Sequence, residues 1–472
     1  MGQEDVKTVL KKSGKWLISN EIAKKAGYSM KSIQSSLRRL VKWGEVKKIE
    51  ASKVIHDEDR LKNRSFAGYA YKIKDIRTLD DFNFNDKKVL LRLDLNSEIK
   101  DKKIIENKKF IEHAKTVSEL LNKKARLVII THQGNDPKDK NFLELQQHAN
   151  LLSEKIGEKI TYVNDLLGKE AEAIINYIKP GEAIMLKNLS YLKEEREDNS
   201  VKKQLNSDLV KKFSTLFDFY VNDAFSLSHR SIASVIALPE KIQSCAGRVF
   251  EHELDTIQIL NETEQQPIVF ILGGAEIHYT SKLIESIAQN KKQIKVLTCG
   301  LLGQLCLLAK EKKLGDQEKF LKEIKLKVNS GIKNAVKYDN IILPKDLAVD
   351  NSNTREELEI EKFPVNKKIF DIGEKTIQDY CSEIKSAKVI FLKGCPGYYQ
   401  NPNFEKGTKE ILNAIQNAEA SFKLIAGTET LSTINLYNID AEKIPHLSLS
   451  DSALISYLTG QQLFGVEALK IK

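Results

Sequence analysis

A short apolar run that ends in two glycines is the feature that most constrains this chain. Residues 268–272 are Ile-Val-Phe-Ile-Leu, and Gly273 and Gly274 follow them. Such a run is typical of a buried parallel strand that turns toward a helix, and glycines at that turn let backbone N–H groups approach a phosphate. Glu276 lies just beyond, although transferring phosphoryl groups need cations around them. The pattern therefore predicts the scaffold of a phosphate-handling site in which one charge is reversed.

Strand-like runs alternate with amphipathic helical stretches through most of the chain. The strand-like runs are 89–93, 126–130, 183–186, 268–272, 294–297 and 389–392. Helical spacing occurs between them, for example in 143–156 and 206–216. This alternation predicts an α/β doubly wound architecture. Because 472 residues exceed what one core supports, we expect two such lobes, joined near the polar stretch 261–266.

The composition is that of a globular protein, with 41% hydrophobic and 30% charged residues. No apolar run reaches the ~18 residues that a membrane span needs, and the N-terminus lacks the apolar core of a signal peptide. The five cysteines are scattered and lack metal-ligand spacing, as expected in a reducing compartment. We therefore expect a cytoplasmic protein with no membrane partner and no metal site.

The positive charge of the chain is concentrated at its N-terminus. Residues 1–75 hold 18 Lys+Arg against 9 Asp+Glu, which places +9 of the total +10 in this segment. Such an asymmetry favours a polyanion as partner. Three helical stretches, followed by strand-like runs at 46–49 and 69–73, resemble a winged helix-turn-helix domain over about residues 4–74.

In such a domain the third helix, here capped by Ser29, enters a nucleic-acid groove. The candidate nucleic-acid-binding residues are Lys31, Gln34, Ser35, Arg38, Arg39 and Lys42 on this helix, and Arg60, Lys62 and Arg64 in the wing. We expect nucleic acid as the partner, with DNA favoured over RNA. The alternative is a winged helix that docks a protein or forms a dimer, its lysines merely solvated.

Six further motifs follow one another along the rest of the chain. They are Leu91-Arg-Leu-Asp-Leu-Asn96, Thr131-His-Gln-Gly134, Val221-Asn-Asp-Ala-Phe225 with His229 and Arg230, Leu272-Gly-Gly-Ala275, Asp371-Ile-Gly373 and Phe404-Glu-Lys-Gly-Thr408. Their order resembles that of the phosphoglycerate kinase family, most closely its archaeal branch, from about residue 79 onward. The resemblance implies two Rossmann-like lobes, the first binding a phosphorylated three-carbon acid and the second binding ATP or ADP. Together with the winged helix, it divides the chain into 1–75, 76–260, 261–445 and a segment that returns to the first lobe, 446–472.

On the acid-binding side, four residues match the family and the other basic positions are weakened. The matching residues, interpreted as a substrate-like remnant, are Asp94, Asn96, His132 and Arg230. Lys109 stands in the place of an arginine, which keeps the charge but loses the bidentate fork. Asn135 and Ser190 replace two further basic residues.

On the nucleotide side, the resemblance implies more extensive change. Glu276 replaces a lysine that contacts phosphate, and Asp451 enters a glycine loop near the transferring group. The nucleotide-like remnant comprises Gly273, Gly274, Gly300, Gln400, Gly427, Glu429 and Thr430. Losing one transition-state donor typically costs ~10²–10³ in rate, and reversing its sign costs more. With the family positions Lys109, Glu276 and Asp451 altered, we expect no catalytic residues and no cofactor.

These features predict a phosphoglycerate kinase-like pseudoenzyme that acts as a DNA-binding transcriptional regulator. Its body is expected to dock a protein partner or to sense a phosphometabolite effector. One alternative is an active phosphoglycerate kinase that uses Mg-ATP and 3-phosphoglycerate and carries an appended regulatory domain. Another is an RNA- or ribosome-associated factor.

Overall fold

Two six-stranded parallel sheets form the centres of two separate units. The structure is a computed structural model that describes residues 2–55, 68–263, 265–289 and 294–471. The first unit comprises Met1–Thr263 and Gln462–Lys472, and the second comprises Glu264–Gln461. The boundary between the units therefore falls in the polar stretch 261–266.

The sheet of the first unit is covered on both faces, which explains why its strands are apolar without alternation. Its strand order is Gln243–Ala246, Phe219–Asn222, Lys88–Arg92, Arg126–Ile130, Ala183–Met185, Ile160–Tyr162. Successive side chains of a strand pack into different hydrophobic cores. Leu91 and Ile129 pack on one face of the sheet, and Leu90 and Val128 pack on the other face. The α-helices are Lys108–Asn122, Gln146–Ile156, Lys169–Tyr177, Val201–Gln204, Asp208–Phe213, Ala233–Ile236, Arg248–Glu262 and Phe464–Leu469. A small hairpin pairs Ile99–Lys100 with Lys103–Ile104.

The sheet of the second unit is also parallel throughout. Its strand order is Ile341–Ile342, Ile294–Thr298, Ile268–Leu272, Val389–Lys393, Phe422–Ala426, His446–Ser448. A second, antiparallel sheet has the order Thr354–Glu359, Asp346–Asn351, Ile369–Ile372. The α-helices are Ile277–Ala288, Gly300–Ala309, Asp316–Glu323, Ser330–Ala335, Glu374–Ser386, Lys406–Asn417, Thr428–Leu436 and Ser452–Leu458.

The N-terminal part of the first unit folds as three helices and a small antiparallel sheet. The helices are Gln3–Ser13, Ser19–Ala26 and Met30–Lys42, and the strand order is Leu17–Ile18, Tyr69–Ile73, Val46–Glu50. Ser29 caps the third helix, its Oγ accepting from the backbone N–H of Ser32 at 3.4 Å. Leu10, Ile33 and Leu37 lie in the core that joins the helices to the sheet.

Short 3₁₀ turns connect many of these elements. They are Ala51–Lys53, Leu79–Asp81, Leu189–Tyr191, Lys193–Glu195, Phe225–Leu227, Ile360–Lys362, Pro402–Phe404 and Ala441–Lys443. Within the described ranges, no helix is both long and apolar enough to cross a membrane.

Part of the N-terminal basic charge is neutralised within the first unit. Lys47 Nζ lies 3.0 Å from Asp255 Oδ1 and 3.4 Å from Glu251 Oε1. Lys72, whose side chain is only 6% exposed, lies 2.8 Å from Glu262 Oε1. Burial acts to lower the pKa of Lys47, but the two carboxylates outweigh it and raise that pKa above its ordinary value. These lysines therefore bind carboxylates of their own chain.

Candidate active site

Asp94 and Lys109 form a buried ion pair at the carboxyl edge of the first sheet. Asp94 follows the strand Lys88–Arg92, and ligands of doubly wound sheets bind at this edge. Asp94 Oδ2 accepts from Lys109 Nζ at 2.8 Å and from Ser226 Oγ at 2.5 Å. Burial alone would raise the pKa of Asp94, but the Lys109 ammonium holds it well below its usual range. The carboxylate is therefore ionised at neutral pH and fixes the ammonium in place.

His132 lies beside this pair and is surrounded by cations. Its Nδ1 is 3.4 Å from Arg92 Nη2, and a guanidinium can only donate, so Nδ1 accepts and Nε2 carries the proton. Desolvation, together with the charges of Arg92, Lys109 and Arg230, lowers the pKa of His132 to about 3, against the opposing effect of Asp94. At neutral pH the ring is an uncharged hydrogen-bond donor.

Asn96 organises the loop that carries His132. Its side-chain Oδ1 accepts from the Gly134 N–H at 3.0 Å, and its backbone carbonyl accepts from Lys109 Nζ at 3.2 Å. Ser190, where the family has an arginine, is buried and donates to the Gly134 carbonyl at 2.6 Å. Asn135, the other lost basic position, is exposed. The hydrogen bonds that Asn96 and Ser190 form with the Gly134 backbone therefore hold the loop in place.

Asp94, Lys109 and His132 together form what we call the acid-side basin. Arg230 and Arg196 lie next to one another near this basin. Arg230 Nε donates to Asp198 Oδ2 at 2.8 Å, and its Nη2 donates to the Arg196 carbonyl at 2.9 Å. Arg196 itself pairs with Asp136, in the loop just after His132. Arg196 was not predicted as a site residue because it lies in none of the motifs, and only its position next to Arg230 and Asp136 in the folded chain identifies it.

The second unit places a buried cation at the carboxyl edge of its sheet. Lys393 ends the strand Val389–Lys393, and its side chain is 5% exposed. Its Nζ lies 2.9 Å from Glu276 Oε2 and 3.2 Å from Asp451 Oδ1. Burial acts to lower the pKa of Lys393, but Asp451 and Glu276 outweigh it and keep the ammonium protonated. Lys393 was not predicted as a site residue because in the sequence it is only the polar residue that follows an apolar run.

Glycine loops pack closely around this cation. Gly394 has φ 82°, and a Cβ there would lie 2.4 Å from the Gly273 carbonyl carbon. Gly427 has φ 100°, precedes the helix Thr428–Leu436, and would meet Asp451 Oδ1 at 2.9 Å if it carried a Cβ. Only glycine fits these two positions: the turn at Gly394 brings backbone to backbone, and the turn at Gly427 brings backbone against the Asp451 carboxylate.

The remaining nucleotide-side residues lie around the same edge. Gly273 and Gly274 follow the strand Ile268–Leu272, and Gly300 begins a helix. Thr430 Oγ1, which is buried, accepts from the Gly394 N–H at 3.1 Å, whereas Glu429 and Gln400 are exposed. Among the residues whose structure is described, no group of three or more His, Cys, Asp or Glu side chains is arranged to hold a metal ion.

The match to known proteins extends over most of the chain. The family model described as Phosphoglycerate kinase matches residues 79–461. This chain belongs to the phosphoglycerate kinase family. It is 34% identical over 402 residues to the phosphoglycerate kinase of Methanopyrus kandleri, covering 84% of this chain and 98% of that protein. It is 36% identical over 401 residues to that of Thermococcus sibiricus, covering 83% and 96%.

The fold match agrees with the sequence match. The crystal structure of phosphoglycerate kinase from Pyrococcus horikoshii OT3 aligns with a TM-score of 0.78 at 31% identity, covering 83% of this chain and 98% of that chain. The predicted α/β fold with parallel sheets in two lobes is confirmed, as is the archaeal-type family.

The predicted pseudoenzyme was wrong. The relatives and the solved structure are phosphoglycerate kinases aligned over nearly their whole length, which favours the active kinase over a transcriptional regulator. The error came from treating Glu276 and Asp451 as lone charge reversals. Both carboxylates face the ammonium of Lys393, so the site keeps a cation.

The predicted nucleic-acid partner, DNA or RNA, was also wrong, since the same matches identify a metabolic kinase. The net charge of the N-terminal segment was a poor guide because Lys47 and Lys72 bind carboxylates of the same unit. Lys31, Arg38, Arg39 and Lys42 are exposed on the third helix, with Ser35 exposed and Gln34 half-buried. The predicted wing residues Arg60, Lys62 and Arg64 lie outside the described residues.

Proposed function

We propose that this chain is an active phosphoglycerate kinase, which transfers a phosphoryl group between ATP and 3-phosphoglycerate. The observation that carries the proposal is the acid-side basin, in which Lys109 pairs with Asp94 beside an uncharged His132 whose pKa the charge of Arg230 helps to lower, in a chain that matches its family over 79–461. Two cations, Lys109 and Arg230, and a neutral donor suit a small molecule that carries a phosphate and a carboxylate. Arg92 is only 1% exposed, and its guanidinium donates to the Leu93 carbonyl and to Ser234.

On the acid side, each residue has a proposed role. Arg230 and Lys109 bind the anionic groups of the acid, Lys109 as a point charge. The Nε2–H of His132 donates to an oxygen of the reacting carboxylate. Asp94 holds the Lys109 ammonium, and Asn96 holds the loop that carries the histidine.

On the nucleotide side, Gly273, Gly274, Gly300 and Gly427 carry no side chain and let the phosphates approach the N-termini of the helices Ile277–Ala288, Gly300–Ala309 and Thr428–Leu436. Mg-ATP enters as a substrate, and its Mg²⁺ neutralises part of the phosphate charge. A carboxylate oxygen of 3-phosphoglycerate attacks the γ-phosphorus and forms a new O–P bond. The bond from that phosphorus to the β,γ-bridging oxygen breaks, and ADP leaves with its electron pair.

Residues 1–75 are proposed to form a winged-helix-like domain that accompanies the lobes 76–260 and 261–445. Of the predicted returning segment 446–472, residues 446–461 belong to the second unit and only Gln462–Lys472 to the first. The contacts of Lys47 and Lys72 with the helix Arg248–Glu262 support a domain docked on its own chain. An accessory role for this domain replaces the nucleic-acid role. A cytoplasmic location stays a prediction.

The test is ADP formation from ATP and 3-phosphoglycerate by the purified full-length chain. We expect turnover within about tenfold of a typical enzyme's ~10 s⁻¹. Lys109→Met should abolish most of it, whereas Lys115→Met, which changes an exposed lysine on the same helix, should not. A folded wild-type protein without turnover at high enzyme concentration contradicts the proposal.

A further inference from the structure

Lys393 occupies the position in the second unit where a ligand of this architecture is expected. In register, it lies between Leu272 and Ala426 on the two neighbouring parallel strands, at the carboxyl end of the sheet. Doubly wound sheets bind their ligands at this edge. The Lys393 carbonyl accepts from the Gly273 N–H at 2.8 Å, so the lysine is tied directly to the glycine turn.

The charges at 276 and 393 are coupled. Glu276 Oε2 is 2.9 Å from Lys393 Nζ, although the two residues are 117 positions apart in sequence. A lysine at 276, as the family resemblance implies, would bring a second ammonium against the buried ammonium of Lys393, which is unfavourable. The negative charge at position 276 and the positive charge at position 393 therefore depend on one another, so that the cation of this site is carried by residue 393 and not by residue 276.

We propose that Lys393 is a cation that binds the nucleotide phosphates and that it takes the role of the family lysine at position 276. This inference rests on the proposed kinase activity and names the residue that recognises its nucleotide phosphates. The cation reaches the glycine loops from the strand Val389–Lys393, which pairs with the strand Ile268–Leu272 that leads into the turn carrying Glu276.

The Glu276 carboxylate pairs with the Lys393 ammonium until a nucleotide phosphate takes its place. The Glu276 side chain is 57% exposed, while that of Lys393 is 5% exposed and that of Asp451 is 26% exposed. The exposed carboxylate can turn into water, leaving a phosphate oxygen in its place on Lys393. Asp451, less exposed, remains beside Nζ and orients the ammonium.

The experiment compares the affinities of full-length variants for Mg-ATP, Mg-ADP and adenosine. Lys393→Gln should weaken ATP and ADP binding about 10- to 100-fold, the loss expected for one charged hydrogen bond, and should leave adenosine binding unchanged. Lys423→Gln is the matched control: Lys423 is a buried lysine on the neighbouring strand whose Nζ donates to the Gln416 carbonyl instead. The double variant Glu276→Lys/Lys393→Gln supplies the ammonium from position 276 instead of position 393. It should recover most of the affinity for ATP and ADP that Lys393→Gln loses.

The outcomes separate this inference from the proposed function. If Lys393→Gln binds ATP as tightly as wild type and still turns over, Lys393 is not the phosphate cation, while the kinase activity stands. If the wild type neither binds ATP nor turns over, both fail. Should Lys393→Gln not fold, Glu276→Gln decides, because it changes an exposed side chain and frees the ammonium. It should tighten ATP binding several-fold, and unchanged or weaker binding overturns the inference.

Discussion

Lys109 donates a 2.8 Å hydrogen bond to Asp94, and both side chains are buried at the edge of the first sheet. The pair replaces the fixed fork of an arginine with a point charge whose position is set by its partner carboxylate. Removing two charges from water costs several kcal/mol per ion, which their attraction and the Ser226 hydroxyl offset. The position of the Lys109 ammonium in the acid-side basin therefore depends on the Asp94 carboxylate, which need not contact the substrate itself.

Asp94→Asn should destabilise the protein because it leaves a buried ammonium without its counter-charge. We expect the free energy of unfolding to fall by about 3–5 kcal/mol and the KM for 3-phosphoglycerate to rise. Asp86→Asn is the control: Asp86 pairs with Arg126 but is 56% exposed, so its loss should cost less than about 1 kcal/mol. Equal effects of the two substitutions in denaturant titrations would contradict the proposed role of the buried pair.

The low pKa of His132 predicts a pH dependence of stability. The folded pKa is about 3 and the ordinary value is 6.5, so between these values the unfolded chain binds the extra proton. Stability therefore falls as pH drops from about 6.5 toward 3, by up to about 1.4 kcal/mol per pH unit from this residue. His132→Gln should flatten the slope of unfolding free energy measured between pH 6 and pH 4. Parallel slopes for wild type and variant would show that the ring is not held neutral by its surroundings.

Gly394→Ala should damage the nucleotide site more than the same change at another left-handed glycine. Gly460 has φ 76° and open space around it, so Gly460→Ala should cost only the conformational penalty of roughly 1–2 kcal/mol. At Gly394 the new Cβ also meets the Gly273 backbone, which adds about 1–3 kcal/mol of overpacking. The free energy of unfolding and the affinity for ATP are measured for both the Gly394→Ala and the Gly460→Ala variants. Identical losses at the two positions would mean that the close approach does not matter.

The docking of residues 1–75 depends on Lys72. Lys72→Gln should reduce the free energy of unfolding by about 1.5–3 kcal/mol, since it removes a charged hydrogen bond to Glu262. It should also speed proteolytic cleavage between this segment and the rest of the chain. Lys48→Gln, which changes an exposed lysine lying over the Tyr69 ring, should have little effect on either measurement. A Lys72 variant that resists protease as well as wild type would remove the support for a docked domain.

Local patterns were enough to predict the architecture. The apolar run Ile268–Leu272 forms a buried parallel strand, and the glycines after it make a tight turn, because both properties depend on neighbouring residues alone. The cap at Ser29 has the same local origin. The motif series likewise identified the family, since it depends on residue order and not on contacts.

Charge compensation could not be predicted in this way. Glu276 and Lys393 are 117 positions apart, and Lys47 and Asp255 are 208 apart. In the sequence, Glu276 is an isolated reversal and Lys47 part of an unbalanced basic segment; in the folded chain, each meets an opposite charge within about 3 Å. Strands, turns and family could be predicted because they follow from local periodicity and motif order. Which charges are balanced became visible only in the folded chain, since electrostatic energy depends on distance in space.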